Sequence, residues 1–225
     1  MKPPPTCISQ ITQQIQENTE RTCPLATTPW HDEDLDTTEC VCTFLPPNLQ
    51  GESAKEQWTN DDIKFITENE ENPDFLAIYA DGSLVKKDGK RLTGYGAISY
   101  YLGKTIFKIK GALGEQAEVF NAEMTGLSTA GEATKQFILN RDWVQQPSHI
   151  VFYADNSAAI SCIYKGTPGK AQEQSLAFRA HIKDILKEVE GALIAISWVP
   201  RHSSIHGNKK ADCLAKEGAK LRPDR

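Results

Sequence analysis

Two short apolar segments end in the same way, and this repeated ending limits the fold more than any other sequence feature. Residues 75–80 (FLAIYA) run into Asp81, and residues 149–154 (HIVFYA) run into Asp155. Short apolar runs bounded by turn residues predict buried β-strands. Functional sites in α/β sheets form beyond the carboxyl ends of strands, so neighbouring strands would bring these two carboxylates together. A structural reading stays open, because aspartate is also a common turn-former and helix N-cap.

The rest of the C-terminal two thirds alternates between strand and helix patterns. Strands are predicted at 94–102 and 105–110, joined by a hairpin turn at 103–104, and a further strand is predicted at 193–199. Helical spacing predicts four helices, at 115–139, 156–164, 172–190 and 207–220. We therefore expect an α/β fold of the layered kind, with a mixed five-stranded sheet flanked by helices.

The charges divide the chain into two regions. Residues 1–74 hold 4 Lys/Arg and 15 Asp/Glu, a net charge of −11, whereas residues 75–225 hold 21 and 15, a net charge of +6. We interpret 1–74 as an acidic, largely extended or disordered leader with a short helical turn around 61–66, and 75–225 as the globular domain. A basic domain suits a polyanionic partner. A solvated, solubilising leader is favoured over an autoinhibitory one.

Membrane and secretion signals are not found in the sequence. The segment from Met1 to Thr6 (MKPPPT) has no apolar signal core, and no stretch approaches the roughly 18 apolar residues that a membrane span needs. We expect an intracellular protein without a membrane partner. The sequence does not choose between nucleus and cytoplasm, and it leaves the oligomeric state open.

Two more acidic residues lie on predicted helix faces that should meet the sheet. Glu123 precedes Leu127 by four residues, and Asp212 precedes Ala215 by three. Alone, Glu123 would be read as an edge residue reaching solvent, and Asp212 as a first-turn residue favoured by the helix dipole. Four converging carboxylates repel one another unless cations or protons neutralise them, and hard oxygen ligands select Mg²⁺ or Mn²⁺. Such a cluster can hold two ions about 4 Å apart for phosphodiester cleavage.

Four motifs in this order resemble the type 1 ribonuclease H family, and the variant is most similar to fungal forms derived from retrotransposons. They span nearly all of 75–225, and the acidic leader resembles the connecting region that precedes such domains. The motifs lie at 79–83 (YADGS), 121–127 (NAEMTGL), 153–157 (YADNS) and 198–212 (WVPRHSSIHGNKKAD).

The resemblance implies a role for each matching residue. Asp81 would bridge two Mg²⁺ ions, with Mn²⁺ as a possible substitute. Glu123 and Asp155 would complete the shell of one ion, and Asp212 would hold the ion that activates water. His202, in the loop before Asp212, would assist proton transfer or product release, although without the motif a solvated loop histidine is the simpler reading.

The implied activity is endonucleolytic hydrolysis of the RNA strand of RNA–DNA hybrids, leaving 3′-hydroxyl and 5′-phosphate ends. Recognition would depend on phosphates and 2′-hydroxyls rather than bases. A reverse transcriptase domain would be a partner if the chain is part of a retroelement. One alternative is a hybrid-binding module with weak or no catalysis. Another is a phospho-acceptor domain using Asp81 or Asp155, which would leave Glu123 and the 202–212 segment unexplained.

Overall fold

The computed structural model describes the backbone of residues 31–32, 35–36, 41–44, 52–140, 145–165, 169–201 and 204–221. Side chains are described for 56–140, 145–164, 169–201 and 204–221. The strands are β1 (His31–Asp32), β2 (Leu35–Asp36), β3 (Val41–Phe44), β4 (Phe75–Lys87), β5 (Lys90–Tyr101), β6 (Lys104–Gly114), β7 (His149–Ala154) and β8 (Leu193–Trp198). The helices are α1 (Glu52–Asn69), α2 (Val119–Leu139), α3 (Ser157–Lys165), α4 (Gln172–Glu188) and α5 (His206–Gly218).

The main sheet is mixed and has the strand order β3-β8-β7-β4-β5-β6. β4, β5 and β6 pair as an antiparallel meander, whereas β4, β7, β8 and β3 run parallel to one another. The predicted five-stranded mixed sheet flanked by helices is confirmed. β3 adds a sixth, four-residue strand at the edge, because its backbone pairs with β8.

The two faces of the sheet are covered by different elements. Alternate residues of β4 point to opposite faces, as the two-residue period of a strand requires. Leu76 and Ile78 join a core that also contains Leu127 of α2 and Phe178 of α4. Residues on the other face, such as Tyr79, pack with Ala211 of α5 and with side chains of α1.

β4 is longer than the sequence predicted. The Asp81-Gly82 pair was expected to end the strand in a turn, but the strand continues to Lys87. The reason is cross-strand pairing: every β4 residue from Leu76 to Lys87 has a partner in β5, so the ladder overrides the local turn preference. The turn falls instead at Asp88 and Gly89, where φ is positive at both residues (51° and 75°).

Helix α1 belongs to the acidic leader and spans 18 residues, so it exceeds the short helical turn predicted around 61–66. Its Phe65 ring contacts Phe75 edge to face at 5.6 Å, and its Trp58 Nε1 donates a hydrogen bond to the Trp198 carbonyl at 3.2 Å. Burial against the sheet stabilises this helix. The prediction of an extended or disordered chain for most of 1–51 falls on residues outside those described. No helix within the described ranges is both long and apolar enough to cross a membrane.

Candidate active site

Three carboxylates meet at the carboxyl end of β7, an inner strand of the sheet. Asp81 lies within β4, Asp155 directly follows β7, and Glu123 is the fifth residue of α2. One oxygen of each carboxylate lies within 4.8 Å of the others. Asp81 and Glu123 are each only 2% exposed, so the reading of Glu123 as a residue reaching solvent is excluded. Three acidic groups therefore share one buried position.

Gly82 allows α2 to approach β4 closely enough to place Glu123. A Cβ at Gly82 would lie 2.5 Å from the Glu123 backbone nitrogen, so a larger residue would push the helix away. The Gly82 amide also donates to Asp81 Oδ1 at 2.9 Å and to Glu123 Oε2 at 3.0 Å. One backbone N–H therefore orients two of the three carboxylates.

The turn that carries Asp155 is fixed from two directions. Trp198 Nε1 donates to the Asp155 carbonyl at 3.0 Å. Asn156 Oδ1 accepts the amides of Ala158 and Ala159, each at 3.1 Å, and so caps α3. Since Asn156 performs the capping, the Asp155 side chain remains on the side of the carboxylate cluster.

Burial and mutual repulsion disfavour the charged form of the cluster. Burial, followed by the charges of Asp155 and Asp212, raises the pKa of Asp81 to about 8. Burial, with the charges of Asp81 and Asp155, raises the pKa of Glu123 well above its usual range. The Gly82 amide and the positive charge of Arg201 oppose both shifts. The cluster therefore binds a proton or a cation more readily than ordinary carboxylates do.

The donor set fits a divalent metal ion. All three groups offer carboxylate oxygens, which hard cations such as Mg²⁺ and Mn²⁺ prefer over soft ligands. Their convergence within 4.8 Å allows a single ion to contact all of them. A bound cation would also relieve the repulsion that raises the pKa of Asp81.

Of the other two predicted site residues, Asp212 is described by the structure and His202 is not. Asp212 lies in the middle of α5, so the first-turn reading does not apply, and its side chain is 34% exposed. Its charge raises the pKa of Asp81, yet it is not part of the three-carboxylate group. His202 lies outside the described residues, between Arg201 and Ser204.

Two basic side chains at the site were not predicted from the sequence. Arg201 Nε lies 3.6 Å from Asp155 Oδ2, and Lys216 Nζ lies 2.6 Å from Asp212 Oδ2. The spacing of four residues between Asp212 and Lys216 on a predicted helix was a usable signal for that ion pair. Arg201 is part of the 198–212 motif, but only the path of the loop after β8 brings it to Asp155.

Comparison with known proteins found a family match and similar folds among solved structures. The RNase H family model matches residues 73–220. The N-terminal RNase H domain of Rv2228c from Mycobacterium tuberculosis, solved as a fusion with maltose-binding protein, aligns with a TM-score of 0.50 and 19% identity, covering 65% of this chain and 99% of that one. RNase H1 from Halobacterium salinarum NRC-1 aligns with a TM-score of 0.45 and 19% identity over 64% and 96% of the two chains.

A third solved structure is LC11-RNase H1, isolated from compost by a metagenomic approach, in complex with an RNA/DNA hybrid. It aligns with a TM-score of 0.45 and 16% identity, covering 63% of this chain and 97% of that one. No curated protein sequence matches the chain. Because the family model covers well over half of the sequence, the chain belongs to the RNase H family of ribonuclease hydrolases.

Proposed function

We propose that this chain is an endonuclease that hydrolyses the RNA strand of RNA–DNA hybrids, leaving 3′-hydroxyl and 5′-phosphate ends. The observation that carries the proposal is the buried cluster of Asp81, Glu123 and Asp155 in a member of the RNase H family. Burying three carboxylates together is expensive unless they hold a cation. A role in metal-dependent chemistry accounts for that expense, whereas a purely structural role does not.

The cofactor of this proposal is Mg²⁺, as two ions, with Mn²⁺ as a possible substitute. Asp81, Glu123, Asp155 and Asp212 would be the ligands. When bound, such ions supply positive charge that stabilises the attacking and leaving oxygens of phosphodiester cleavage. Asp81 is central, because it lies beside Glu123 and Asp155 in the cluster and its pKa is also raised by the charge of Asp212.

The protein's own groups hold these ligands in place. The Gly82 amide fixes the carboxylates of Asp81 and Glu123, and the Trp198 indole fixes the backbone at Asp155. Lys216 orients Asp212 through their 2.6 Å ion pair. From the motif alone, we assign His202 to proton transfer or product release.

We propose that substrate choice depends on the shape of the hybrid, through contacts to phosphates and RNA 2′-hydroxyls, with little base preference. The surplus of basic residues in 75–225 supports a salt-sensitive attraction to the backbone. We keep the division into a leader, 1–74, and a catalytic domain, 75–225, with α1 and the edge strand β3 as the leader's contacts to the domain. Descent from a retroelement and a reverse transcriptase partner remain predictions from the motifs.

The experiment is cleavage of a strand-labelled RNA–DNA hybrid by the full chain in Mg²⁺, Mn²⁺ or EDTA. We expect cuts in the RNA strand only, in either metal but not in EDTA, and 3′-hydroxyl ends on the products. Double-stranded DNA and double-stranded RNA serve as comparison substrates. Binding of the hybrid without cleavage in both metals would instead assign the chain to the hybrid-binding modules.

A further inference from the structure

The hairpin formed by β4 and β5 projects past the strand ends where the carboxylates lie. β4 pairs with β7 only as far as Tyr79 and Tyr153, and then continues to Lys87. At a rise of about 3.3 Å per residue, the end of β4 lies roughly 20 Å beyond Asp81. The hairpin therefore extends beyond the carboxyl end of β7, and ligands of α/β sheets bind outside the carboxyl ends of strands.

The tip of this hairpin pairs like charges across its strands. We call the basic tip the four exposed residues Lys86, Lys87, Lys90 and Arg91. Lys86 lies directly opposite Arg91, and Lys87 lies opposite Lys90. Like charges in directly opposed positions destabilise a β ladder. Successive strand residues point to opposite faces, so the Lys87–Lys90 pair lies on the face of the hairpin that carries Asp81, and the Lys86–Arg91 pair lies on the other face. Both faces of the tip are therefore basic, which suits binding of an external anion.

The geometry of the turn holds the basic tip in one arrangement. Positive φ at Asp88 and Gly89 makes a two-residue turn of the I′ kind, which suits the twist of a tight hairpin. Lys90 Nζ forms an ion pair with Glu115 Oε1 at 2.6 Å. Three acidic residues lie nearby: Asp88, Glu115 and Glu118, the last close enough to Arg91 for the charge of Arg91 to lower the pKa of Glu118. Glu118 also forms an ion pair with Lys170 at 2.8 Å, so with Lys170 included five basic residues face three acidic ones and two positive charges remain.

We propose that the basic tip binds backbone phosphates of the nucleic acid at a distance from the cleavage site. At about 3.4 Å of helix axis per base pair, 20 Å corresponds to roughly six base pairs. The identification of this nucleic acid as the substrate hybrid depends on the proposed function. The binding of phosphates by the tip does not, because it follows from charge and position alone.

The acidic leader is the competing occupant, since residues 1–74 carry a net charge of −11. The position of the tip favours nucleic acid. The hairpin extends past the same strand ends that carry Asp81 and Asp155, so the tip lies on the side of the sheet where the carboxylates would hold nucleic acid. Two described elements of the leader contact other parts of the domain: α1 packs beside Phe75 and Trp198, and β3 pairs with β8.

The test compares the full chain with Lys86→Gln/Lys87→Gln and with a matched pair, Lys104→Gln/Lys187→Gln. Lys104 and Lys187 are also exposed, but they lie at the opposite ends of the strands, close to the starts of β4 and β8. Both variants lose the same charge. Hybrid binding is measured by fluorescence anisotropy in EDTA across a salt series, so that no cleavage interferes.

We expect the tip variant to bind more weakly, with a slope of log affinity against log salt smaller by about 1, because Lys87 lies on the face of the hairpin that carries Asp81 and Lys86 lies on the other. The Lys104/Lys187 variant should match the full chain. Identical affinity and slope for the tip variant and the full chain would overturn the proposal. Tighter binding by the tip variant would also overturn it, and would assign the tip to the acidic leader.

The outcome for the proposed function is read separately, from cleavage by the unsubstituted chain in Mg²⁺. A chain that binds through the tip but does not cut RNA would disprove the nuclease and leave the inference standing. A chain that cuts RNA while the tip variant binds normally would do the reverse.

Discussion

Two acidic residues with raised pKa values, one buried and one partly buried, differ in what surrounds them. Asp81 lies in the carboxylate cluster, and Asp62 lies on α1 against the sheet. Burial is the largest cause of a raised pKa at both, to about 8 for Asp81 and about 7 for Asp62. Judged by the pKa shift alone, the two residues would be equally good candidates for a functional role.

The surroundings of Asp81 and Asp62 distinguish the two residues. Asp81 has two carboxylates within reach of a shared cation, together with a backbone amide that orients the group. Asp62 borders a cavity of about 400 Å³ that is mainly aromatic and aliphatic, and its Oδ2 has no hydrogen-bond partner in the described part of the chain. The cavity is lined by Trp58, Asp61, Asp62, Phe65, His149, Val151, Tyr153, Ala195 and Ser197. Desolvation shifts a pKa anywhere, whereas a cation site needs several oxygens directed at one point.

The largest expected difference concerns stabilisation by metal. At about 100 times its dissociation constant, a bound ion adds roughly 2.7 kcal/mol, which corresponds to about 5–10 °C in Tm for a chain of this size. Asp81→Asn should lose this rise, because it removes the central ligand. In EDTA its Tm should equal or exceed that of the unsubstituted chain, because repulsion in the cluster decreases.

Differential scanning fluorimetry with Mg²⁺, Mn²⁺ or EDTA measures both effects. Asp88→Asn, in the exposed hairpin turn, is the matched control and should behave like the unsubstituted chain. Unfolding of Asp81→Asn in EDTA would show that Asp81 is a structural residue. A gain from metal equal to that of the unsubstituted chain would show that Asp81 is not a required ligand.

A smaller effect is expected at Arg201. Its guanidinium lies 3.6 Å from Asp155 Oδ2 and is 62% exposed, so its repulsion of a nearby cation is about 1 kcal/mol or less. Arg201→Gln should bind Mn²⁺ up to about fivefold more tightly, as measured by calorimetry with the metal alone. Arg201→Lys keeps the charge and should change affinity less. Unchanged or weaker binding by Arg201→Gln would show that Arg201 does not compete with the metal.

A different kind of effect, on stability as a function of pH, is expected at Asp62. An unfolded aspartate has a pKa of about 3.9, and burial raises the pKa of Asp62 to about 7. The native state therefore keeps a proton that the unfolded state releases, so the free energy of unfolding falls as pH rises from about 4 to about 7. Asp62→Asn removes this loss, and its stability relative to the unsubstituted chain should increase between pH 5 and pH 8.

Urea unfolding at pH 5 and pH 8 measures that change. The same relative stability at both pH values would mean that the pKa of Asp62 is not raised in the native state. Hybrid cleavage by Asp62→Asn should proceed at the rate of the unsubstituted chain, in contrast to Asp81→Asn.

The sequence predicted the sheet because its strands are nearly continuous apolar runs. It also predicted which acidic residues would approach the site. Asp81 and Asp155 follow matching runs, and Glu123 lies on the helix face that turns toward the sheet. The structure brings these three together and places Asp212 on α5 close enough to influence Asp81. Their roles as metal ligands remain predictions.

The remaining features depend on contacts between distant segments. The length of β4 was missed because Asp81-Gly82 has turn chemistry, which pairing with β5 overrides. Helix α1 was underestimated because its few large apolar residues, such as Trp58 and Phe65, gain stability only against the sheet. The position of Arg201 depends on the course of a loop, which no local pattern specifies.

The most direct test of the central claim is cleavage of a strand-labelled RNA–DNA hybrid by the full chain, Asp81→Asn and Asp62→Asn, each in Mg²⁺ and in EDTA. The account predicts metal-dependent cutting of the RNA strand by the full chain and by Asp62→Asn, and only background cutting by Asp81→Asn. Cleavage by Asp81→Asn at the rate of the full chain would contradict it.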